Sequence, residues 1–300
     1  MSTPAAGSTT ANTVTQAPVG KSFVATDTAL WAGVTMTGTA ATTGVNTAGV
    51  AARIPNGQTA AARVAADRVA AAAGGRTVHF VPEKADDIEQ QKALVEEALK
   101  LKPDAVVFVP VDDVAMEPDL AKFATAGIPV ITCINRIKGK VVAHVGSDDV
   151  AVGMLSARAL FKGLGGKGKI LQIDGPMAAP TCRDRAEGVR RTLSEFPGIE
   201  LVAVGCGMNL RPEGRQATEA LLARHPRVDG IWCANDVMAY GALEALDAAS
   251  RTAKVVGVNG LDEAIDNVEK GRMLATVDFS AFKICHFAAE AALRHVHGEK

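Results

Sequence analysis

The sequence predicts an α/β protein made of two doubly wound, parallel-sheet lobes that are joined by strand crossings. From about residue 50 onward, short β-branched runs alternate with longer amphipathic segments, which is typical of β-α-β units. The run AVVFV at 105–109 is apolar at every position, as expected for a strand covered by helices on both faces of its sheet. A chain of 300 residues is long enough for about two domains.

The first set of elements reaches to about residue 163. Asp87 is predicted to start a helix because Gln90 stands three residues later, and Pro103 is predicted to end that helix. The other predicted members are strands at 78–81, 105–109, 129–134 and 141–145 and helices at 117–126 and 149–163.

A second set of similar make-up follows, beginning with a strand at 169–173. It contains strands at 169–173, 200–204, 230–234, 254–258 and 273–277 and helices at 181–196, 212–225, 236–248, 261–270 and 281–297. Because no low-complexity linker separates the two sets, we expect the chain to pass between the lobes near 135–147 as a strand-like crossing.

The bulk composition excludes several classes of protein. Hydrophobic residues make up 48% and charged residues 22%, which is ordinary for a globular chain. The formal net charge is -1, and without a dense Lys/Arg run we expect no nucleic-acid partner. The five cysteines lie far apart without a Cys-x-x-Cys pair, so each is interpreted as a small buried hydrophobe, not as part of a disulfide framework or zinc site.

Residues 1–47 differ from the rest and are predicted to be a leader or a poorly ordered tail. They are rich in Ala, Thr, Gly and Ser, and Lys21 and Asp27 are their charged residues. The stretch 29–41 after Lys21 fits a weak export signal, although Thr dilutes its apolar run and the run begins late.

Polar side chains stand where most of the predicted strands end. These residues are Asn135 and Arg136, Asp174, Arg183, Asn235 and Asp236, Asn259, and Asp278 with Phe279. Ligands bind at the carboxyl ends of strands in open parallel sheets, so we expect these side chains to face one crevice. Each also has a purely structural interpretation: Asp236 fits a helix N-cap, for example, and Asn259 fits a turn.

The set of amides and arginines suits a small polyhydroxylated ligand. A sugar hydroxyl both donates and accepts, Asn does the same, and the planar fork of Arg donates to adjacent oxygens. The sequence has no nucleophile elbow, no His-Glu-x-x-His motif and no phosphate-binding loop. We therefore expect a binding protein and not an enzyme, with no metal and no cofactor.

The chain from about residue 76 to 300 resembles the type I periplasmic sugar-binding proteins, the group of ribose and galactose receptors of ABC transporters. The resemblance depends on the order and spacing of KPDAVVFVPVD (102–112), AGIPVITCINR (126–136), HVGSDDVAVG (144–153), CRDRAEGV (182–189), WCANDVMAYGALEAL (232–246), VVGVNG (255–260) and MLATVDF (273–279). It implies an N-terminal lobe of 48–140 plus 279–300 and a C-terminal lobe of 141–278, which close on a sugar.

The same resemblance implies a set of ligand-binding residues. They are Asn135, Arg136, Arg183, Asn235, Asn259 and Phe279. Asn135 and Asn259 stand where the family usually has Asp, and Phe279 stands where Gln is common, so we expect a ligand other than ribose: another pentose, a deoxy-sugar or a polyol. Residues 48–75 contain Asn56 but none of the aromatics that the family uses to stack on the sugar, and the family continues past the last helix with a further crossing and strand.

These features predict the substrate-binding component of a sugar ABC transporter. We expect a periplasmic or extracytoplasmic monomer whose partners are a sugar or polyol and the membrane permease. The alternative is the effector-binding domain of a lactose-repressor-like transcription regulator, which shares the fold. That alternative needs a basic helix-turn-helix, whereas residues 1–50 contain a single Lys and no Arg.

Overall fold

The computed structural model describes residues 23–25, 46–50, 58–83 and 87–299. Its strands are β1 (Phe23–Ala25), β2 (Asn46–Val50), β3 (Arg76–Phe80), β4 (Ala105–Phe108), β5 (Val130–Cys133), β6 (Ala143–Val145), β7 (Lys167–Asp174), β8 (Gly198–Cys206), β9 (Gly230–Cys233), β10 (Lys254–Asn259) and β11 (Ala275–Asp278). Its helices are α1 (Gln58–Ala72), α2 (Ile88–Leu101), α3 (Glu117–Thr125), α4 (Asp149–Gly163), α5 (Pro180–Leu193), α6 (Arg211–Arg224), α7 (Asp236–Ala248), α8 (Asp262–Glu269) and α9 (Ala281–Val296).

The strands form two parallel sheets. One has the order β3-β2-β4-β5-β6 and the other the order β1-β11-β10-β9-β7-β8. We call the first sheet with α1–α3 and α9 the N-terminal lobe, and the second sheet with α4–α8 the C-terminal lobe. Because all strands of a parallel sheet point the same way, their carboxyl ends collect the connecting loops at one edge of each lobe.

The predicted α/β class of two parallel-sheet lobes is confirmed, and most elements lie within a few residues of their predicted bounds. One boundary needs correction. The C-terminal lobe was predicted to begin at residue 141, but β6 pairs with β5 in the N-terminal sheet, with Ile131 opposite Ala143. The chain therefore changes sheets after Val145. The predicted boundary was wrong because a strand's own sequence does not show which neighbour it pairs with.

The tail predicted at 1–47 falls mostly outside the described residues. Within it, β1 pairs in parallel with β11, and β2 begins at Asn46 and lies between β3 and β4. The helix α1, for which the sequence analysis offered no element, packs on α9 and on β2 and β3. No helix in the described part of the chain combines the length and the apolar character that crossing a bilayer would need.

Each lobe has its own apolar core. Phe108 and Phe123 meet edge-on in the N-terminal core, with ring centroids 6.3 Å apart. Trp232 is fully buried in the C-terminal core, and its indole N–H donates to Ser156 Oγ at 2.8 Å. Apolar strands covered by helices on both sides account for this arrangement, and the last helix, α9, packs on β4, β5 and β6.

Glycines allow α4 and α5 to approach each other closely. A Cβ atom on Gly153 would lie 2.2 Å from the carbonyl oxygen of Arg185, and one on Gly188 would lie 2.3 Å from that of Val150. Both neighbours are backbone atoms, which cannot rotate out of the way as the end of a side chain can. The helix pair that carries Asp149 and Arg185 is therefore held at a distance that only glycine permits.

We predict that Gly153→Ala destabilises the protein by about 2 kcal/mol, measured by urea unfolding. Overpacking a tight core costs roughly 1–3 kcal/mol, which exceeds the roughly 0.5–1 kcal/mol that Ala gains over Gly inside a helix. The matched control is Gly163→Ala in the same helix, where the new methyl group meets the flexible Leu274 side chain. If Gly153→Ala is as stable as the unaltered protein, the close helix approach is not a constraint.

Candidate functional site

An ion pair between Arg183 and Asp113 joins the two lobes at the carboxyl ends of their strands. Arg183, in the first turn of α5, donates through Nη2 to Asp113 Oδ2 at 2.6 Å, and Asp113 lies in the loop between β4 and α3. The same guanidinium donates to the carbonyl oxygens of Met177 and Ala178 at 3.0 and 2.8 Å. Arg183 thus holds its own loop in place while it reaches the other lobe.

Asn135 follows β5 and is buried. Its Nδ2 donates to the Pro110 carbonyl oxygen at 2.8 Å, so it is tied to the loop after β4. Its Oδ1 accepts no hydrogen bond from any described residue, and the same holds for the buried Oδ1 of Asp113. The carboxyl ends of the neighbouring strands β4 and β5 therefore present two buried acceptors that need donors.

Arg136, the next residue in the sequence, is exposed. Its positive charge acts on His144 of β6: burial first, and then Arg136, lowers the pKa of His144 to about 4. His144 is therefore neutral at neutral pH. One ring nitrogen, Nδ1, lies 3.0 Å from Thr132 Oγ1, and the other has no partner among the described residues.

The structure assigns the N-cap of α7 to Asn235 and not to Asp236. Asn235 is the N-cap of α7, because its Oδ1 accepts from the backbone N–H of Met238 at 2.8 Å. Asp236 is fully buried and accepts instead from Thr276 Oγ1 at 2.6 Å and from the Leu261 N–H at 3.0 Å. Burial raises the pKa of Asp236 to about 6, against the effect of these hydrogen bonds. The cap prediction for Asp236 is wrong because residues one apart in sequence can satisfy donors on different elements.

Asn235 still reaches toward the strand ends with its other amide atom. Its Nδ2 donates to Asn209 Oδ1 at 3.1 Å. Asn209 and the preceding Met208 both adopt left-handed backbone conformations, with φ of 59° and 50°, in the loop between β8 and α6. Sequence reasoning missed Asn209, and its position just after a strand was the available signal.

Asn259 and Phe279 line a cavity of about 650 Å³ at the ends of β10 and β11. Both side chains are buried, and Asn259 has a φ of 132°, which a turn into Gly260 requires. Arg211 and Tyr240 line the same cavity, with the guanidinium carbon 5.2 Å from the ring centroid. The structure thus brings these two predicted residues together, while Arg183 lies at the contact between the lobes and Asn135 is bonded to the loop that carries Asp113.

Arg185 is a buried residue that the sequence analysis did not single out. Its Nε donates to Asp149 Oδ1 at 2.8 Å, its Nη1 donates to the Ala234 carbonyl oxygen at 2.8 Å, and its guanidinium lies 4.7 Å from the Phe279 ring centroid. Burial raises the pKa of Asp149, and the charge of Arg185 opposes that shift. Residues two apart on a helix point in nearly opposite directions, so the Arg-x-Arg spacing of 183 and 185 was the signal that one of them faces inward.

Asp174 ends β7 at the same edge. Burial raises its pKa to about 6, and the hydrogen bonds from Gln172 Nε2 at 2.9 and 3.1 Å oppose the shift. The described residues at this edge offer amides, guanidinium groups and carboxyls whose pKa is raised by burial, all of which can form hydrogen bonds.

The chain is similar in sequence to two known binding proteins. A xylitol-binding protein of Mycolicibacterium smegmatis is 29% identical over 64% of this chain and 56% of its own length. A ribose import binding protein of Haemophilus influenzae is 33% identical over 58% of this chain and 59% of its own length. The matched part of the chain thus spans less than two thirds of either relative.

Solved structures match over more of the chain. An ABC transporter periplasmic solute-binding protein from Actinobacillus succinogenes with bound D-allose superposes with a TM-score of 0.80 at 29% identity, covering 85% of this chain and 93% of that one. The family model described as periplasmic binding protein domain matches residues 49–300, nearly all of the region that forms the two sheets. With two parallel-sheet lobes that meet at their strand ends, the chain belongs to the family of periplasmic binding protein domains.

Proposed function

We propose that the protein is the substrate-binding component of a sugar ABC transporter and that it binds a monosaccharide or polyol between its lobes. In this role it is an extracytoplasmic monomer that delivers its ligand to a membrane permease. The observation that carries the proposal is the pair of buried acceptors, Asn135 Oδ1 and Asp113 Oδ1, which follow the neighbouring strands β5 and β4 at the edge where Asp113 also pairs with Arg183 of the other lobe.

Buried acceptors without donors favour a ligand rich in hydroxyl groups. Leaving such an atom unsatisfied costs about 1–3 kcal/mol, so a ligand that supplies the donor gains that energy on binding. A hydroxyl can donate to Asn135 or Asp113 and accept from Arg183 with the same oxygen atom. An apolar ligand would leave both acceptors unpaired, and an anion would be repelled by Asp113.

The relatives support the same ligand class. Those reported above are named for xylitol and for ribose, and the solved structure holds D-allose. All three molecules are small and polyhydroxylated. The neutral amides of Asn135 and Asn259, at positions where carboxylates are usual, favour a ligand other than ribose, such as a different pentose, a deoxy-sugar or a polyol.

In this proposal the two lobes close around the ligand before it is delivered to the permease. The Arg183–Asp113 ion pair forms only when the lobes are close, because its members belong to different sheets. Both side chains are partly exposed, so we expect the pair alone to contribute little, on the order of 1 kcal/mol or less. A ligand that adds hydrogen bonds to both lobes shifts the equilibrium toward the closed state.

We predict that a sugar or polyol stabilises the protein in a thermal-shift screen of pentoses, hexoses, deoxy-sugars and polyols. A ligand at 100 times its dissociation constant adds about 2.7 kcal/mol, which raises the melting temperature by roughly 5 °C or more in a protein of this size. Non-specific stabilisation is controlled by an osmolyte without hydroxyl groups at the same concentration. If no member of the screen moves the melting curve of well-folded protein, the proposed function is contradicted.

Arg183→Ala is expected to weaken binding of the ligand found in that screen by about ten- to a hundredfold, measured by isothermal titration calorimetry. A hydrogen bond to a charged group contributes roughly 1.5–3 kcal/mol, and the loss appears as that ratio of dissociation constants. The matched control is Arg190→Ala on the same helix, since Arg190 is exposed and pairs with Glu187. Equal affinities for Arg183→Ala and the unaltered protein would exclude Arg183 from the ligand site.

A further inference from the structure

We propose that Cys133 and Cys285 form a disulfide bond when the protein folds under oxidising conditions, and that this bond joins β5 to α9 inside the N-terminal lobe. The two Sγ atoms lie 3.9 Å apart, although the residues are 152 positions apart in sequence. Cys133 is fully buried and Cys285 is 5% exposed, and both belong to the N-terminal core. The proposal is independent of the ligand and depends on the proposed location only for the oxidant that the cell supplies.

The bond requires the two sulfur atoms to approach each other further. A disulfide has an S–S distance of about 2.0 Å, so each sulfur must move by roughly 1 Å. The contacts of the other three cysteines do not include a second cysteine sulfur among the described residues. Cys233 is buried in the C-terminal core, Cys182 lies 3.7 Å from Asn209, and the exposed Cys206 lies 3.5 Å from the sulfur of Met208.

The bond forms by exchange with an external disulfide, such as that of a thiol oxidase or of oxidised glutathione. One cysteine thiolate attacks the external disulfide, forms a mixed disulfide and releases one thiolate. The second cysteine thiolate then attacks the protein sulfur of the mixed disulfide and expels the other thiolate. The two cysteines lose two protons and two electrons in total, and the external disulfide is reduced to two thiols.

Burial determines when this exchange can take place. The contact with Cys285 and burial raise the pKa of Cys133 well above its usual range, so the folded, reduced protein holds almost no thiolate there. Oxidation therefore has to occur before the N-terminal lobe packs fully, after α9 has been synthesised. Once formed, the bond is shielded from reductants by the same core.

The bond would lie close in sequence to two of the polar residues at the strand ends. Cys133 ends β5, immediately before Ile134 and Asn135, and Cys285 lies in the second turn of the helix that follows Phe279. The loop that it closes contains every element of the C-terminal lobe except β1. A cross-link of this kind removes conformations from the unfolded chain, so it stabilises the lobe that carries Asn135 without touching the ligand.

The test is a disulfide map of the full chain in the Cys206→Ala background, which removes the exposed thiol. The protein is unfolded, reduced, refolded with a mixture of oxidised and reduced glutathione, acid-quenched and titrated for thiols in denaturant. We expect two thiols before reduction and four after it, and a linked pair of tryptic peptides, 123–136 and 284–294, each with a single cysteine.

Four thiols in the oxidatively refolded protein, or linkage of other cysteines, would overturn the proposal. The reduced pair would then be two thiols in contact and nothing more. The melting temperature gives a second readout: reduction before folding should lower it by about 5–10 °C in the Cys206→Ala protein and leave it unchanged when Cys285→Ala is added. A failed sugar screen with the linked peptides present would contradict the proposed function and leave this inference standing.

Discussion

The buried ion pair between Arg185 and Asp149 is the interaction on which the arrangement of the site depends. Asp149 opens α4, directly after the chain has left the N-terminal sheet, and Arg185 also holds the Ala234 carbonyl oxygen and lies over Phe279. The Arg185 guanidinium therefore contacts both the start of α4, where the chain has just left the N-terminal sheet, and Phe279, where the chain returns to the N-terminal lobe. Removing either partner would leave a buried charge unpaired, which costs about 3–5 kcal/mol, so both connections keep a defined position relative to the sheet.

This constraint also sets the direction of Arg183. With Arg185 directed into the C-terminal lobe, the helix places Arg183 on the opposite side, where it meets Asp113 of the N-terminal lobe. The glycines at 153 and 188 allow α4 and α5 to pack closely enough for the ion pair to form. Two residues of the same helix therefore have different roles: Arg185 stabilises the C-terminal lobe, and Arg183 belongs to the candidate site.

The polar residues at the strand ends divide into two groups by their hydrogen bonds. Asn235, Asp236 and Arg185 have their main bonds within the C-terminal lobe and stabilise its loops. Asn135 and Asp113 each keep a buried acceptor without a donor from the described residues. A protein that only needed stability would gain by pairing these atoms, which is why they favour an external hydroxyl as their partner.

Local patterning was sufficient to predict the α/β class, the order of the elements from β3 onward and the polar residues at the strand ends. Hydrophobic periodicity and capping depend on neighbours within a few positions, so they can be read along the chain. Only the tertiary structure decided which sheet β6 belongs to and that Asn235, not Asp236, caps α7. The same is true of the pairs Arg183–Asp113 and Cys133–Cys285. Each of these depends on partners that are distant in sequence, and whether a polar or sulfur atom is satisfied is a property of that three-dimensional neighbourhood.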